Sequence, residues 1–307
     1  MKPPPFRYVR PSTVAGAVAA LAEGDARVLA GGQSLVPLMN LRLTSPETLV
    51  DINRVAGLDL IAERDGYVVV GATARQADAL GSALVRDRAP LVAAALRQVS
   101  HVQVRSRGTV VGNLVHHDPA SELPAVALAL DAEFTLVGPH GERRVRAAEF
   151  FLGEFATATA ATELVTEVRF PCAPPGTGAA FHEITRKARD WPLLGAAAQL
   201  TVRDGAVVDA RVAVSGMSGV PVRQHDVEAA LAGRPAATSA VPAAAARAHA
   251  DVSAHVNARS GADYRRRVLP VVVRRALVAA LDSALDPAAG HRVPGSGGAA
   301  RVEEGAA

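Results

Sequence analysis

Three stretches of this chain combine residue types and spacings that can do chemistry. The first is RVLAGGQSL, residues 27–35: an apolar run, then Ala30, Gly31, Gly32, Gln33, Ser34 and Leu35. Paired glycines after a strand let backbone N–H groups turn outward toward an anion, and Ser34 adds a hydroxyl donor. The same pair also fits an ordinary turn. No GK[ST] follows, and the spacing is not G-x-G-x-x-G, so neither common nucleotide loop is present. The second stretch is RSRGTVVGNLVHHDPASELPA, 105–125. Thr109 and Asn113 can donate to phosphate oxygens, Gly112 permits close backbone approach, and Glu122 can accept from a ribose hydroxyl. A polar loop between packed elements is the alternative. The third is RKARDWPLLGAAA, 186–198, where Arg186, Arg189 and Asp190 crowd beside Trp191, the one tryptophan. Trp191 is either an aromatic plug in an alanine-rich core or a face for a planar ring, where stacking contributes roughly 0.5–1.5 kcal/mol beyond burial.

Other chemistries find less support. His116, His117 and Asp118 offer metal-ligating types, but adjacent histidines in a strand point to opposite faces. Ser34 lacks the G-x-S-x-G elbow of a hydrolase nucleophile. Cys172 is the one cysteine, so the chain can form no intrachain disulfide and cannot hold an iron–sulfur cluster or a cysteine-type zinc site by itself.

The elements that must position these residues follow from composition and periodicity. At 307 residues the chain is long enough for two domains. Hydrophobic residues make up 49% but aromatics only 4%, so the cores must be built mostly of Ala, Val and Leu. The formal charge of +3 is spread along the length, and no basic stripe interleaved with aromatics marks a nucleic-acid site. The N-terminus has no apolar signal-peptide core, and no uncharged apolar run reaches the ~20 residues that span a bilayer. The expectation is a cytoplasmic protein.

PSTVAGAVAALAE predicts a first helix with Ser12 as N-cap. ARVLAG predicts a buried strand, and TLVDIN (48–53) and YVVVGA (67–72) two more. Helices are expected at RQADALGSALV and APLVAAALRQV. EFTLVG (133–138), RRVRAAEFF and an alternating ELVTEVRFP (163–171) predict further strands. CAPPGTG (172–178) marks a domain boundary. Beyond it come three antiparallel strands, AAFHEITR, LLGAAAQLTVRDG and AVVDARVAVSGMSGVPVR, then helices at HDVEAALAG, VPAAAARAHADV and ADYRRRVLPVVVRRALVAALDSAL, the last with a kink at Pro270. Residues 286–307 lack periodicity and predict a disordered tail.

Four stretches, in order, resemble the FAD-binding medium subunits of molybdenum hydroxylases, the carbon monoxide dehydrogenase and xanthine dehydrogenase flavin-subunit family. They are RVLAGGQSLVPLMNLRLTSPETLVDIN, GTVVGNLVHHDPASELPA, HEITRKARDWPLLGAAA and VSGMSGVPVRQHDVEAALAGRP. The resemblance covers residues 1–285. It implies an α+β fold: a two-subdomain FAD cradle of the vanillyl-alcohol-oxidase (PCMH) type over 1–173, divided near 55, and a small C-terminal domain over 177–285 with an antiparallel sheet packed on helices. It implies that Ala30, Gly31, Gly32, Gln33, Ser34 and Leu35 surround the FAD pyrophosphate, as do Thr109, Gly112 and Asn113. Glu122 would meet the ADP-ribose side, and Asp190 and Trp191 the isoalloxazine. The implied partners are a molybdenum-cofactor large subunit and a [2Fe–2S] small subunit, in a dimer of heterotrimers. Electrons would enter from a cluster and leave to NAD⁺, a quinone or dioxygen, with no catalytic acid, base or nucleophile required of this chain.

Two positions depart from the family pattern. Val111 stands where T-I-G-G-N has its first glycine; if φ is positive there, a β-branched residue costs roughly 1–3 kcal/mol. Glu122 stands where Asp is common, one methylene longer. Two rival readings share the fold: a free-standing flavin oxidase, with His116 or His117 as covalent attachment point, and a scaffold that has lost FAD, favoured by Val111.

Overall fold

The computed structural model describes residues 1–187, 190–253 and 260–286. The predicted tail, apart from Asp286, lies outside them, as does Arg189.

The chain opens with a small parallel sheet. β1 (Arg7–Val9) leads to helix α1 (Val14–Leu21), then β2 (Ala26–Leu29), α2 (Leu35–Asn40) and β3 (Thr48–Asp51). The strand order is β1-β3-β2, with both pairings parallel. β3 is therefore central and buried at all four positions, as a strand flanked on both sides must be. β2 is an edge strand and, against expectation, only Ala26 in it is buried. The N-cap of α1 is Thr13, not Ser12: the Thr13 hydroxyl accepts from the Gly16 amide at 3.1 Å.

A five-stranded antiparallel sheet follows. β4 (Ile61–Arg64) and β5 (Tyr67–Gly71) form its first hairpin. Six short helices then intervene: α3 (Gln76–Gly81), α4 (Ala83–Arg88), α5 (Pro90–Leu96), α6 (Val102–Arg105), α7 (Val110–His116) and α8 (Glu122–Ala129). β6 (Glu133–Gly138) and β7 (Gly141–Arg146) are followed by a helical turn, α9 (Ala147–Phe150), and a small hairpin of β8 (Phe151–Gly153) and β9 (Ala156–Thr157). The run RRVRAAEFF is thus strand, helical turn and strand in succession. β10 (Leu164–Pro171) returns to the middle of the sheet, giving the order β4-β5-β10-β6-β7. Its expected alternation is absent because it is a central strand carrying a bulge between Val165 and Glu167. The few aromatics are concentrated here: Phe134 stacks on Phe150 at 3.7 Å, and Phe151 meets both edge-on.

The last sheet contains β11 (Thr177–Ile184), β12 (Leu194–Arg203), β13 (Ala206–Ser215) and β14 (Val222–Arg223), all antiparallel neighbours. The sequence predicts three strands; β14 is separate because Gly216, at φ +80°, turns the chain out of β13. Asp204 (φ 51°) and Gly205 (φ 74°) make the β12–β13 hairpin with both central residues left-handed, as a type I′ turn requires. Helices α10 (His225–Leu231), α11 (Val241–Ala245) and α12 (Ala262–Leu285) complete the described chain. α11 is much shorter than the predicted 241–252 helix. α12 continues through Pro270 for 24 residues.

The alanine content of this sheet is explained by cover on both faces. Leu194, Ala196, Ala198 and Leu200 pack with Val272, Val273, Ala276 and Leu277 of α12. On the opposite face Phe181, Ala197 and Ala213 join the core built from the first two sheets and their helices. Gly178 in β11 marks how close α12 lies: a Cβ there would overlap the Ala280 carbonyl and the Ala284 amide. Replacing Gly178 by Ala should therefore lower stability by roughly 1–3 kcal/mol. Urea unfolding measures this, and an unchanged midpoint would contradict the packing described.

Candidate cofactor-binding site

The structure brings the first two sequence stretches into direct backbone contact. Residues 30–34 leave β2 and enter α2, and Gly31 faces the segment before α7. A Cβ on Gly31 would strike the Arg107 carbonyl oxygen and sit 2.8 Å from Gly108 Cα. Gly31 is thus required by loop-against-loop approach. Gly32 is required by its backbone, at φ +72°. Ser34 occupies the N-cap position of α2 but makes no side-chain capping bond, so its hydroxyl is not consumed by the helix. Gln33 is exposed, and its amide nitrogen donates to the Gly31 carbonyl at 3.3 Å.

The second loop is shaped by Thr109, which is buried and N-caps α7; its hydroxyl accepts from the Gly112 amide at 3.0 Å. The missing Cβ of Gly112 makes room for that hydroxyl, 2.5 Å from where the carbon would stand. This differs from a glycine placed for ligand approach. Asn113 follows one position on, and its Oδ1 accepts from the Ser121 hydroxyl at 2.9 Å, which leaves the Nδ2 donors available. Val111 lies in the first turn of α7, buried in the core and outside the positive-φ residues. The strain considered from sequence does not exist here.

Sequence reading missed the residues that join the loops. Asn53 Nδ2 donates to the Ala30 carbonyl at 2.9 Å and to Asp51 Oδ1 at 2.6 Å. Arg75 donates to Asn53 Oδ1 at 2.6 Å and to the Arg107 carbonyl at 2.7 Å. Tyr8 donates to Asp51 from the neighbouring strand β1. That bond and those from Asn53 hold the Asp51 carboxyl below its ordinary value against the opposing effect of burial. No local spacing signals this set, because its members come from three separate stretches: β1, the end of β3 and the residue before α3.

His116 and His117 close α7 and do not form part of a strand. His117 caps the helix at φ 45°, fully buried, with Nδ1 3.2 Å from the Ala156 carbonyl. Burial depresses both imidazoles. Among the described residues no three His, Cys, Asp or Glu side chains are grouped to hold a metal ion.

Glu122 starts α8 and is buried, and burial raises its carboxyl to about 7. Glu183 on β11 is raised to about 8, first by burial and then by the charge of Glu122. Glu183, Gly195 and Ser215 are neighbours in register across three strands. Among the described residues the buried Glu183 Oε2 and Ser215 Oγ have no hydrogen-bond partner. The second loop and the last sheet also meet where the Gly216 amide donates to the Pro119 carbonyl at 2.9 Å. The third sequence stretch connects β11 to β12. Trp191 there is 62% exposed, so it is no core plug, and its amide donates to Asp190 Oδ1 at 2.9 Å.

Known proteins match this arrangement along the chain. Residues 4–173 match the family of FAD-binding domains in molybdopterin dehydrogenases, and residues 179–280 match the carbon monoxide dehydrogenase flavoprotein C-terminal domain. The carbon monoxide dehydrogenase medium chain of Hydrogenophaga pseudoflava is 38% identical, covering 91% of this chain and 98% of its own. The alpha subunit of the 6-hydroxypseudooxynicotine dehydrogenase complex of Paenarthrobacter nicotinovorans is also 38% identical, covering 92% and 97%. The chain belongs to the FAD-binding medium subunits of molybdenum hydroxylases.

Solved structures agree with that membership. Carbon monoxide dehydrogenase from Hydrogenophaga pseudoflava superposes with a TM-score of 0.87 at 40% identity, over 92% of this chain and 99% of that one. Quinoline 2-oxidoreductase from Pseudomonas putida 86 gives 0.87 at 30% identity, over 93% and 100%. The fold class is therefore the α+β FAD-binding fold with its flavoprotein C-terminal domain, and the medium subunit's cofactor is FAD. The residues present fit that group: a left-handed Gly32, a Ser34 hydroxyl that makes no capping bond, and Asn113 Nδ2 donors without a partner among the described residues lie on two loops that touch.

The raised carboxyls make stability depend on pH. Unfolded, Glu122 and Glu183 titrate near 4.5; folded, near 7 and 8. Their protonated forms are favoured in the fold, so their contribution is full below the unfolded value and is lost as pH rises through the folded values. Glu183→Gln should flatten the fall in urea midpoint between about pH 5 and about pH 8, the window between the unfolded and folded values of this carboxyl. A slope identical to wild type would contradict the burial of this carboxyl.

Proposed function

We propose that this subunit passes electrons from [2Fe–2S] clusters in a small partner subunit, through FAD, to an external acceptor. A large partner subunit would hold the molybdenum cofactor and act on the substrate. The observation that carries this reading is the backbone contact of the Gly31–Gly32 loop with the 107–109 segment, in a chain whose one cysteine cannot hold a cluster. FAD supplies the redox chemistry when bound; the polypeptide positions it and tunes its surroundings.

In this reading Ala30, Gly31, Gly32, Gln33, Ser34 and Leu35 surround the pyrophosphate with Thr109, Gly112 and Asn113. Thr109 and Gly112 act chiefly by shaping the loop, because each is engaged with the other. Glu122 faces the ADP-ribose side; with a carboxyl near 7 it can donate as well as accept. Asp190 and Trp191 stand beside the isoalloxazine, for which an exposed indole is better suited than a buried one. Residues 1–173 form the FAD-binding domain, with subdomains meeting near residue 55, and 177–285 the C-terminal domain. The complex is a cytoplasmic dimer of heterotrimers. Among the described residues no helix is long and apolar enough to cross a membrane.

Two measurements test this. The purified chain should take up FAD and turn yellow, and Gly31→Ala, which forces the loops apart, should weaken FAD binding at least ~10-fold, the equivalent of ~1.4 kcal/mol. A tagged chain expressed in its native host should co-purify with one molybdenum-containing and one iron-containing subunit. A colourless chain that takes up no added FAD, or one that purifies alone, would overturn the reading.

A further inference from the structure

Arg75 bonds directly to one side of the loop contact and reaches the other through Asn53. Its Nη1 donates to the Arg107 carbonyl, the same oxygen a Gly31 Cβ would strike. Its Nη2 donates to Asn53, which in turn donates to the Ala30 carbonyl. Both acceptors are neutral. Among the described residues no carboxylate lies within ion-pair distance of this guanidinium: Asp51 is engaged with Tyr8 and Asn53, and Arg10 approaches it at 3.7 Å. The nearby Arg107 charge adds to the local positive field, and Asp51 and Asp78 act on Arg75 only at longer range.

A half-buried cation held by neutral acceptors is poorly compensated. Burial and then the Arg107 charge lower its ionisation from the ordinary arginine value, yet the guanidinium stays a cation, so an anion placed beside it would be favoured. Two of its five N–H donors are committed, so others remain to meet one. The loops it joins carry the Ser34 hydroxyl, which makes no capping bond to α2.

We propose that Arg75 is a cofactor-binding residue in its own right: it clasps the two loops and supplies the positive charge opposite the pyrophosphate, which makes binding depend on a diphosphate. This rests on the FAD site proposed above, and ADP, which carries the diphosphate without the flavin, separates the two claims.

The test uses the full-length chain stripped of cofactor. FAD binding is followed by flavin fluorescence and ADP binding by calorimetry, each across a salt series, for wild type, Arg75→Lys and Arg75→Gln. Thermal unfolding confirms that each variant is folded. Both substitutions break the two-pronged clasp, but only lysine keeps the charge. A charge-assisted hydrogen bond contributes roughly 1.5–3 kcal/mol, so Arg75→Gln should weaken FAD and ADP alike by ~10- to 100-fold. Arg75→Lys should recover a good part of that loss, and its binding should weaken with salt as in wild type, while that of Arg75→Gln should show a shallower salt dependence. Equal losses in Lys and Gln variants with the same salt dependence would mean a purely structural clasp and overturn the proposal, as would a Gln variant that binds like wild type. If wild type binds ADP through Arg75 but not FAD, the diphosphate site stands and the flavin reading falls. If wild type binds neither, both fall.

Discussion

The site depends on one steric constraint, the absence of any atom on Gly31 beyond its backbone. The Arg107 carbonyl and Gly108 Cα occupy the space that a side chain would fill. That contact sets the separation of two loops, one leaving strand β2 and the other joining helix α6 to helix α7. Everything else in the region is arranged around it. Gly32 turns the chain at a φ that other residues adopt only under strain. Asn53, at the end of the buried central strand β3, fixes the carbonyl side of the first loop, and Arg75 ties Asn53 to the second. The parallel sheet and the antiparallel sheet are joined here by directional bonds as well as by apolar packing.

A second junction sits under α8. Phe181, Ala197 and Ala213 project from the last sheet into the core of the first two, so small side chains allow a sheet to approach a helix closely. Asp131, just past the end of α8, accepts from Arg211 and Arg223 at 3.0 and 3.1 Å, and Arg223 also reaches the Leu128 carbonyl. At the other end of α8 the neighbours are Glu122 and Glu183, both held toward the neutral form by burial. The helix is therefore pinned by ion pairs at its C-terminal end, while its N-terminal end is packed beside two protonation-sensitive carboxyls.

Much of the fold was legible because alternation, turn residues and alanine-rich periodicity are local signals. The Asp204–Gly205 hairpin and the long last helix are read directly from sequence. Other features failed for physical reasons. β10 does not alternate because it is a central strand whose register shifts at a bulge. The run 241–252 has helical composition, yet only Val241–Ala245 is helical, since alanine propensity does not mark an end. Gly31 and Gly32 were found, but their reasons differ: one answers a distant carbonyl, the other its own backbone. Val111 departs from the family pattern in sequence but is an ordinary buried helical residue, because its φ is not positive. Asn53 and Arg75 could not be found, because a side chain bonding a carbonyl far along the chain leaves no mark on local spacing.

The most direct measurement is a crystal structure of the chain with FAD bound. The account places the pyrophosphate between residues 30–34 and the 105–113 segment, with the Arg75 guanidinium and the Ser34 hydroxyl at hydrogen-bonding distance. A pyrophosphate bound elsewhere on the chain, with the Gly31–Arg107 contact free of ligand, would contradict it.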